Sequence, residues 1–451
     1  MERPSAKTLL ALAAAAFLVR AAFVLLEPSN KLAGDEWTWY RWALSPEGGV
    51  ASAKVGFSPF RNHMIFYPPL YPYFIAAVHE LAGSLTAVKL AQAMLGAALA
   101  VAVACLGAAV FDRRVGLLAG FFVALSPDVV WFAAHFWSET LFLAFIWWAM
   151  ERVFAADREE RLGVAVFAGV LWGLAILTRE TALYFVVVVA AWLAWKRGAG
   201  GRRRAAVFAV CTLLTVAPST YRNWRVFDAF IPVSTAGGQN LFQGNAKIER
   251  DTTYVMVDDV RGRVEQYRYA MRMGLQAIWE RQPTWIFEKL YEQMPNFWEA
   301  DNLAVIHVKR GADTPPGGYG PTRVSTAWMV AAVTVIPYLV VLVGFVLGLR
   351  DLPLTRDTVF LLLFLLYYNS IHIVTHGFAR YRLPVMPVVF LVAAWGFYAP
   401  REARVTSPVR RWVAALVAIV LVLCLIPGLR KTVEHPAFGG AGRAEDGDAR
   451  P

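Results

Sequence analysis

Long apolar runs, separated by short connections rich in arginine and lysine, dominate the pattern of this chain. Most runs come close to the roughly 20 apolar residues that an α-helix needs to cross the hydrocarbon core of a bilayer. They cover residues 9–26, 85–111, 116–134, 140–154, 163–177, 181–195, 205–221, 326–349, 358–374, 383–398 and 412–426. The pattern therefore predicts an all-α polytopic membrane protein with about 11 transmembrane helices.

Two parts of this pattern allow more than one interpretation. The first run is Ala-rich and follows Arg3 and Lys7, as in a signal peptide. Arg20 interrupts it and its length suits a complete span, so we favour an uncleaved first helix. A single helix over residues 163–195 would overshoot the bilayer at about 1.5 Å per residue. A hairpin that turns near residues 178–180 resolves this excess.

Basic residues in the short connections indicate the orientation, because cytoplasmic loops carry an excess of lysine and arginine. On one side these are Arg113, Arg114, Arg152, Arg158, Arg161, Lys196, Arg197, Arg202, Arg203, Arg204, Arg350, Arg356, Arg401, Arg404, Arg410 and Arg411. The short connections of the other side hold only Arg179, Arg380 and Arg382. The N-terminus is therefore expected in the cytoplasm, and the pair Asp35-Glu36 on the outer side.

Two outer segments, 27–84 and 222–325, are too long for simple connections and should fold. We therefore divide the chain into an N-terminal transmembrane module over 1–221 that includes the first outer loop, an outer loop region over 222–325, and C-terminal transmembrane helices over 326–428. A polar, Gly-rich tail over 429–451 is expected to be disordered.

Local patterns refine the two outer segments. The first contains a Pro-rich aromatic stretch, 67–74, which resists a regular helix at its start and suits a membrane-surface belt. The second contains Gly237, Gly238 and further polar residues up to Asn245, a turn-rich patch. Amphipathic spacing over 264–294 then predicts helices on the membrane surface or against the first loop.

Composition agrees with this class. The 451 residues are 58% hydrophobic and 17% charged, too apolar for an ordinary soluble protein of this length. The net charge of +11 could indicate a nucleic-acid partner, but the basic connections account for it. Cys105, Cys211 and Cys424 lie inside apolar runs without paired or metal-ligand spacing.

Polar groups recur at the predicted outer ends of the spans. They are Asp35-Glu36, Ser138-Glu139, the residues 178–180 and the segment 376–382. Carboxylates and arginines together at an outer membrane surface suit sugar transfer from a polyprenyl phosphate. The departing phosphate needs little protonation, so the reaction needs one base for the acceptor hydroxyl and guanidinium groups for the growing charge. One displacement of this kind inverts the anomeric carbon.

Plainer roles compete with this one. Asp35, Glu36 and Glu139 could simply be charges at helix N-termini, and Arg380 and Arg382 could extend to the membrane interface. Arg179 could simply form an ion pair with Glu180 at the tip of the hairpin. Gln239 and Asn240 could be only turn residues.

An ordered set of short motifs resembles a known family. The motifs are Gly34-Asp35-Glu36, Tyr67-Pro68-Pro69-Leu70, Leu125-Ser126-Pro127, Ser138-Glu139-Thr140, Thr178-Arg179, Tyr221-Arg222-Asn223-Trp224, Val233 to Leu241 and Arg380-Tyr381-Arg382-Leu383-Pro384. They are similar to the GT-C glycosyltransferases of the dolichyl-phosphate-mannose protein mannosyltransferase and aminoarabinose transferase group, in particular its bacterial members. The resemblance spans nearly the whole membrane region.

The resemblance implies roles for individual residues. Asp35 matches the catalytic base of the first outer loop, and Glu139 matches the acid of the second outer loop. Glu36 departs from the double-Asp form of some members. Tyr67 stands where many relatives have a histidine, and His63 could take the role of that histidine.

Further substrate-binding candidates follow from the remaining motifs. Arg380 and Arg382 would face the lipid phosphate. The others are Arg179, Gln239, Asn240 and Tyr381.

The favoured hypothesis is an inverting transferase of hexosyl or pentosyl groups. It takes the sugar from a polyprenyl-phosphate donor to an extracytoplasmic protein, glycan or lipid acceptor, and it lies in the bacterial plasma (inner) membrane. No cofactor is assigned, and Mg²⁺ or Mn²⁺ could assist because carboxylates and phosphate oxygens are ligands for these ions, but no dedicated metal-ligand motif is visible. The alternative is a transporter or lipid flippase, for which repeated halves and charges near the midplane are expected. A third hypothesis has the outer loops only bind a partner.

Overall fold

A computed structural model shows an α-helical membrane protein, as the apolar pattern predicts. It describes residues 4–26, 32, 35–45, 65–195, 198–300, 304–306, 308–309, 324–398 and 407–439. His63 and most of the first outer loop lie outside these residues. In the described parts, helices and short 3₁₀ turns are the only regular structure.

The elements follow one another along the chain. The first nine helices are α1 (Ala6–Leu26), α2 (Asp35–Leu44), α3 (Leu70–Ala82), α4 (Leu85–Val110), α5 (Arg113–Leu125), α6 (Pro127–Ala133), α7 (Glu139–Glu159), α8 (Leu162–Thr178) and α9 (Val186–Ala194). The others are α10 (Ala199–Phe227), α11 (Ala236–Asn245), α12 (Arg250–Asp258), α13 (Arg263–Trp279), α14 (Trp285–Trp298), α15 (Val324–Asp351), α16 (Arg356–Val374), α17 (Met386–Tyr398) and α18 (Pro408–Glu434). Short 3₁₀ helices cover Glu180–Ala182, Ala379–Val385 and Pro436–Phe438.

The fold class is confirmed, but the helix count of about 11 is not. Among the described residues, 7 helices are long and apolar enough to cross a membrane, or 8 if α5 and α6 form one bent span. The helices α8 and α9 are apolar but shorter. The predicted hairpin between them is confirmed, because α8 ends at Thr178 and a 3₁₀ turn over Glu180–Ala182 precedes α9.

The predicted run over 116–134 is not one straight helix. Helices α5 and α6 meet at an angle of 54°. The cause is Pro127, which has no N–H and excludes the helical conformation for the residue before it. Ser126 accordingly has φ −58° and ψ 118°.

Helix α7 runs through the centre of the hydrophobic core. Trp147 and Phe154 are fully buried there. The indole of Trp147 donates to the Pro384 carbonyl at 3.1 Å, which fixes the 3₁₀ segment Ala379–Val385 against α7. At the other end of α7, Asp157 pairs with Arg356 at 2.9 Å. The core thus connects the basic end of the bundle to the polar groups at its other end.

The glycines of the second outer region pack helices and do not form turns, which corrects the predicted turn-rich patch. Residues 236–245 form α11. A Cβ at Gly238 would lie 2.9 Å from the Tyr267 carbonyl oxygen of α13, and one at Gly244 would collide with the Thr375 carbonyl. Glycine is therefore required here for close backbone approach.

The predicted start of the disordered tail is also wrong. Helix α18 continues through residue 429 to Glu434 and is followed by the 3₁₀ turn Pro436–Phe438. The Trp328 indole of α15 donates to the Phe438 carbonyl at 3.0 Å. Apolar packing and this bond hold the segment; residues 440–451 lie outside the described part of the chain.

The close contact of α4 with α5 gives a stability prediction. An added Cβ at Gly116 would overlap the backbone of Ala104 and Ala108. We expect Gly116→Ala to force the helices apart and to lower the free energy of unfolding by about 1–3 kcal/mol. Thermal unfolding in detergent measures the effect. The matched control is Gly163→Ala, since a Cβ there meets nothing within 4 Å; equal melting temperatures of the two variants would contradict the packing described.

Candidate active site

Four chain segments that are distant in sequence meet at one end of the bundle. Asp35 is the first residue of α2, and Glu139 is the first residue of α7. Both positions favour carboxylates, because the free N–H groups of a helix start carry partial positive charge. Arg179 lies in the break between α8 and α9, and Arg380 lies in the 3₁₀ segment before α17.

Asp35 and Arg380 form the more open of two ion pairs. Nη1 of Arg380 lies 3.1 Å from Oδ2 of Asp35, and the Asp35 side chain is 41% exposed. The guanidinium carbon of Arg380 lies 4.5 Å from the ring centre of Trp137 and 4.9 Å from that of Tyr381. The arginine is held by two aromatic faces, while the carboxylate remains accessible from outside.

Glu139 and Arg179 form the buried pair. Nη1 of Arg179 lies 2.6 Å from Oε1 of Glu139, whose side chain is 3% exposed. The other oxygen, Oε2, is buried and has no hydrogen-bond partner among the described residues. Arg179 also faces Tyr381, with 5.7 Å between guanidinium carbon and ring centre. The Tyr381 ring thus lies between the two arginines.

A chain of hydrogen bonds leads from Arg380 into the protein. Nη2 of Arg380 donates to the Tyr381 hydroxyl at 3.1 Å, and this hydroxyl lies 3.3 Å from Nε2 of His376. Burial lowers the pKa of His376 to about 3, and the charges of Arg380 and Arg250 act in the same direction. The imidazole is therefore neutral, so its Nε2 can accept a hydrogen bond from the Tyr381 hydroxyl.

The turn that carries His376 is fixed from the outer helices. Lys289 of α14 is buried and donates to the carbonyls of Gly244 and Thr375 at 2.6 and 2.7 Å. The side-chain oxygen of Gln293 accepts from the Gly377 N–H at 2.7 Å. Burial lowers the pKa of Lys289 to about 8. The outer helices therefore set the backbone that leads into Arg380.

Glu36 and Tyr67 line the same region but differ in their contacts. Glu36 is buried, and its Oε1 accepts from the Phe136 N–H at 2.9 Å. It fastens α2 to the chain that leads into α7. Tyr67 packs against Trp39 and Trp42 with ring centres 4.9 and 5.0 Å apart. Burial raises the pKa of Tyr67, with a smaller contribution from the charge of Asp35, so the hydroxyl stays protonated.

Arg382 is not brought to the group, which differs from the prediction that it faces a lipid phosphate beside Arg380. Its side chain is 1% exposed, and Nη1 donates to the Glu299 carbonyl at 2.7 Å. Its Nη2 lies 3.4 Å from Oδ2 of Asp128 on α6. The guanidinium is thus directed into the bundle, where it holds the end of α14 and α6 together.

The other predicted residues lie at the border of the group. Gln239 is buried in α11 and donates to the Thr253 hydroxyl at 3.4 Å. The backbone of Asn240 contacts His376. Neither side chain joins the two ion pairs.

Arg250 and Trp137 belong to the group, although no motif marks them. The guanidinium carbon of Arg250 lies 5.8 Å from the ring centres of both Tyr254 and Phe378. Its charge acts on His376, as does that of Arg380, so the two arginines face one region. Arg250 begins a helix of the outer region, where sequence alone does not indicate which face is inward. Trp137 could have been suspected from its place beside Ser138-Glu139.

The arrangement combines an accessible carboxylate with three guanidinium groups, those of Arg179, Arg250 and Arg380. Such a set can take a proton and bind an anion at neighbouring points. Within the described residues there is no group of three or more His, Cys, Asp or Glu side chains that could hold a metal ion.

Comparisons with known proteins agree with this fold. Residues 67–221 match the family described as dolichyl-phosphate-mannose-protein mannosyltransferase. This stretch includes the pair Glu139 and Arg179 but not Asp35 or Arg380. No curated protein sequence matches the chain significantly.

Several solved structures of the oligosaccharyltransferase of Archaeoglobus fulgidus are similar. The apo form has a TM-score of 0.50 and 16% identity, over 94% of this chain and 56% of that one. The complex with Zn and sulfate has a TM-score of 0.51 and 14% identity, over 94% and 53%. The form tethered to an acceptor peptide with the NVT sequon has a TM-score of 0.50 and 15% identity, over 96% of this chain and 55% of that one. The chain spans about half the length of these relatives, and the likeness establishes a common fold. The predicted resemblance to the dolichyl-phosphate-mannose protein mannosyltransferases is confirmed over residues 67–221.

The two ion pairs should differ in their contribution to stability. We expect Glu139→Ala to leave the mostly buried Arg179 without its partner and to lower the free energy of unfolding by as much as about 3 kcal/mol. Asp35→Ala should cost at most about 1 kcal/mol, since that carboxylate is exposed to solvent. Unfolding followed by detergent-solution thermal shift compares them. A larger loss in Asp35→Ala would show that the burial of the pairs is assigned wrongly.

Proposed function

We propose that this integral membrane protein is an inverting glycosyltransferase that takes a sugar from a polyprenyl-phosphate donor. The observation that carries the proposal is the pair of Asp35 and Arg380, a solvent-accessible carboxylate 3.1 Å from an arginine held by Trp137 and Tyr381. The matched family is named for dolichyl-phosphate-mannose, a sugar carried on a lipid phosphate. This name supports the class of donor.

In the proposed reaction, Asp35 removes the proton of the acceptor hydroxyl as its oxygen attacks the anomeric carbon. The bond between that carbon and the phosphate oxygen breaks, and the lipid phosphate leaves with the bonding electrons. Arg380 stabilises the charge on the phosphate, and Arg179 and Arg250 add positive potential nearby. The proton ends on Asp35, and the anomeric configuration is inverted.

Arg380 also explains how the donor could activate the base. Without donor, its guanidinium is bound to Asp35 and occupies one of the two carboxylate oxygens. A phosphate that binds Arg380 competes for the same N–H groups and releases Asp35 to meet the acceptor. Glu139 keeps Arg179 in place through its Oε1.

The orientation is part of the proposal. The basic residues Arg113, Arg114 and Arg356 lie at the opposite end of α5, α7 and α16 from the carboxylate pairs, as the positive-inside rule demands for an outward-facing site. We therefore place the N-terminus in the cytoplasm and the reaction on the outer face of a bacterial plasma membrane. The acceptor is a protein, glycan or lipid; the acceptor peptide of the archaeal structure favours testing proteins first.

Asp35→Asn should abolish transfer while the protein remains folded, since the amide cannot accept the proton. Release of polyprenyl phosphate from a radiolabelled lipid-linked sugar, by purified protein in nanodiscs, measures turnover. Asp112→Asn is the matched control. Asp112 caps α5 at the other end of the bundle, and asparagine caps equally well. Normal turnover by Asp35→Asn would disprove the assignment of the base.

Arg380→Gln should weaken donor binding. Loss of one charge-assisted hydrogen bond is worth about 1.5–3 kcal/mol, equivalent to a rise of roughly 10- to 150-fold in donor KM. Arg250→Gln should have the same direction with a smaller effect, because Arg380 and not Arg250 forms the ion pair with Asp35. Donor titration at saturating acceptor checks both, and an unchanged donor KM in Arg380→Gln would count against the phosphate contact.

The sugar and acceptor are found by mass spectrometry of glycoproteins, glycans and lipids from a deletion strain and its parent.

A further inference from the structure

The bend between α5 and α6 leaves two backbone carbonyls without helical partners. In an unbroken helix the N–H of residue 127 would bond to the carbonyl of Val123, and that of residue 128 to the carbonyl of Ala124. Pro127 has no N–H, and the extended Ser126 turns the chain away from the axis of α5. Such carbonyls need another donor, since lipid provides none.

Arg20 supplies that donor from the middle of α1. It is fully buried, and its Nη1 donates to the Ala124 carbonyl at 2.9 Å while Nη2 donates to the Val123 carbonyl at 2.8 Å. Nη1 also donates to the Ala16 carbonyl of its own helix at 2.9 Å. Gly96 of α4 makes room, because a Cβ there would overlap Nε of Arg20.

The same side of α4 holds the far end of the bent segment. Gln92, one turn before Gly96, donates to the carbonyls of Ala133 and His135 at 3.1 and 2.9 Å. The Tyr71 hydroxyl donates to the side-chain oxygen of Gln92 at 2.7 Å. The segment from residue 126 to 135 is therefore fastened by Arg20 at its start and by Gln92 at its end.

The chain leaving this segment enters the candidate site at once. The Phe136 N–H binds Glu36, the Trp137 ring lies under Arg380, and Glu139 pairs with Arg179. A shift of the bend would move all three contacts together.

We propose that Arg20 is a positioning residue for the reaction: by binding the Val123 and Ala124 carbonyls, it fixes the bend that delivers residues 136–139 to the site. In this role Arg20 acts through the backbone of α5 and α6 and not by contact with the substrates. The kinetic part of this proposal rests on the proposed transferase function, whereas the structural part does not.

Hydrogen–deuterium exchange of the full-length protein in nanodiscs tests the structural part. Arg20→Met should speed exchange in peptides covering 123–139 and leave α10 unchanged. Arg20→Met combined with Pro127→Ala should show a smaller increase, because the alanine restores a backbone N–H for the Val123 carbonyl. An increase in the double variant as large as in Arg20→Met, or none in either, would overturn the proposal.

Donor turnover tests the kinetic part. Arg20→Met should lower kcat about tenfold or more and also raise donor KM, because the displaced segment carries Trp137, which packs under Arg380, and Glu139, which pairs with Arg179. Arg20→Lys should regain part of kcat by reaching one carbonyl. Thr212→Val is the control, since its hydroxyl also bonds to backbone carbonyls inside the bundle, those of Gly169 and Phe208 at 3.1 and 2.9 Å, but between α8 and α10. An equal loss of kcat in Thr212→Val would mean general destabilisation and would refute positioning.

Gly96→Ala provides the same test if Arg20→Met does not yield folded protein. Its Cβ displaces the Arg20 side chain without removing the charge. It should reproduce both the faster exchange over 123–139 and the lower kcat, and wild-type values of both would overturn the proposal. If these variants alter exchange but the wild-type protein turns over no lipid-linked sugar, the transferase function is refuted. The role of Arg20 in the fold then still holds.

Discussion

Backbone polar groups have no partner in lipid, and this constraint governs where the bundle can be interrupted. Each break near the site is closed by a side chain from another element. Arg20 binds the carbonyls at the end of α5, Gln92 binds those at the end of α6, and Lys289 binds those at the ends of α11 and α16. The Tyr367 hydroxyl donates to the Thr181 carbonyl in the turn after α8. A break in this protein therefore requires a donor in the neighbouring helix.

The same breaks carry the candidate chemistry. Glu139, Arg179 and Arg380 each follow an interruption of a helix, and Tyr381 lies at the point where they meet. At these interruptions, side chains of other elements donate hydrogen bonds to the backbone carbonyls. The side chains of the site thus extend from non-helical backbone in directions that a regular helix does not offer, and a packed core encloses that backbone.

The sequence predicted the apolar helices and the hairpin after α8, because period and charge are local signals. Motif order pointed to Asp35, Glu139, Arg179 and Arg380, which lie near one another in the fold, while their roles stay predictions. It did not predict that Arg382 turns inward while Arg380 turns outward, since two arginines spaced two residues apart look alike until their neighbours are known. Arg250 and the helical state of α11 depend on contacts between distant segments. The number of spans stays unconfirmed, because several apolar helices are short or bent.

The two ion pairs divide the site into halves of different tolerance to change. Glu139 is enclosed, so a substitution near it must refit packed neighbours. Asp35 opens to solvent with 41% of its side chain exposed, and residues at its edge can vary without disturbing the core. A population that carries this scaffold can therefore accumulate substitutions around Asp35 with little loss of stability, whereas a change beside Glu139 requires compensating changes inside the bundle.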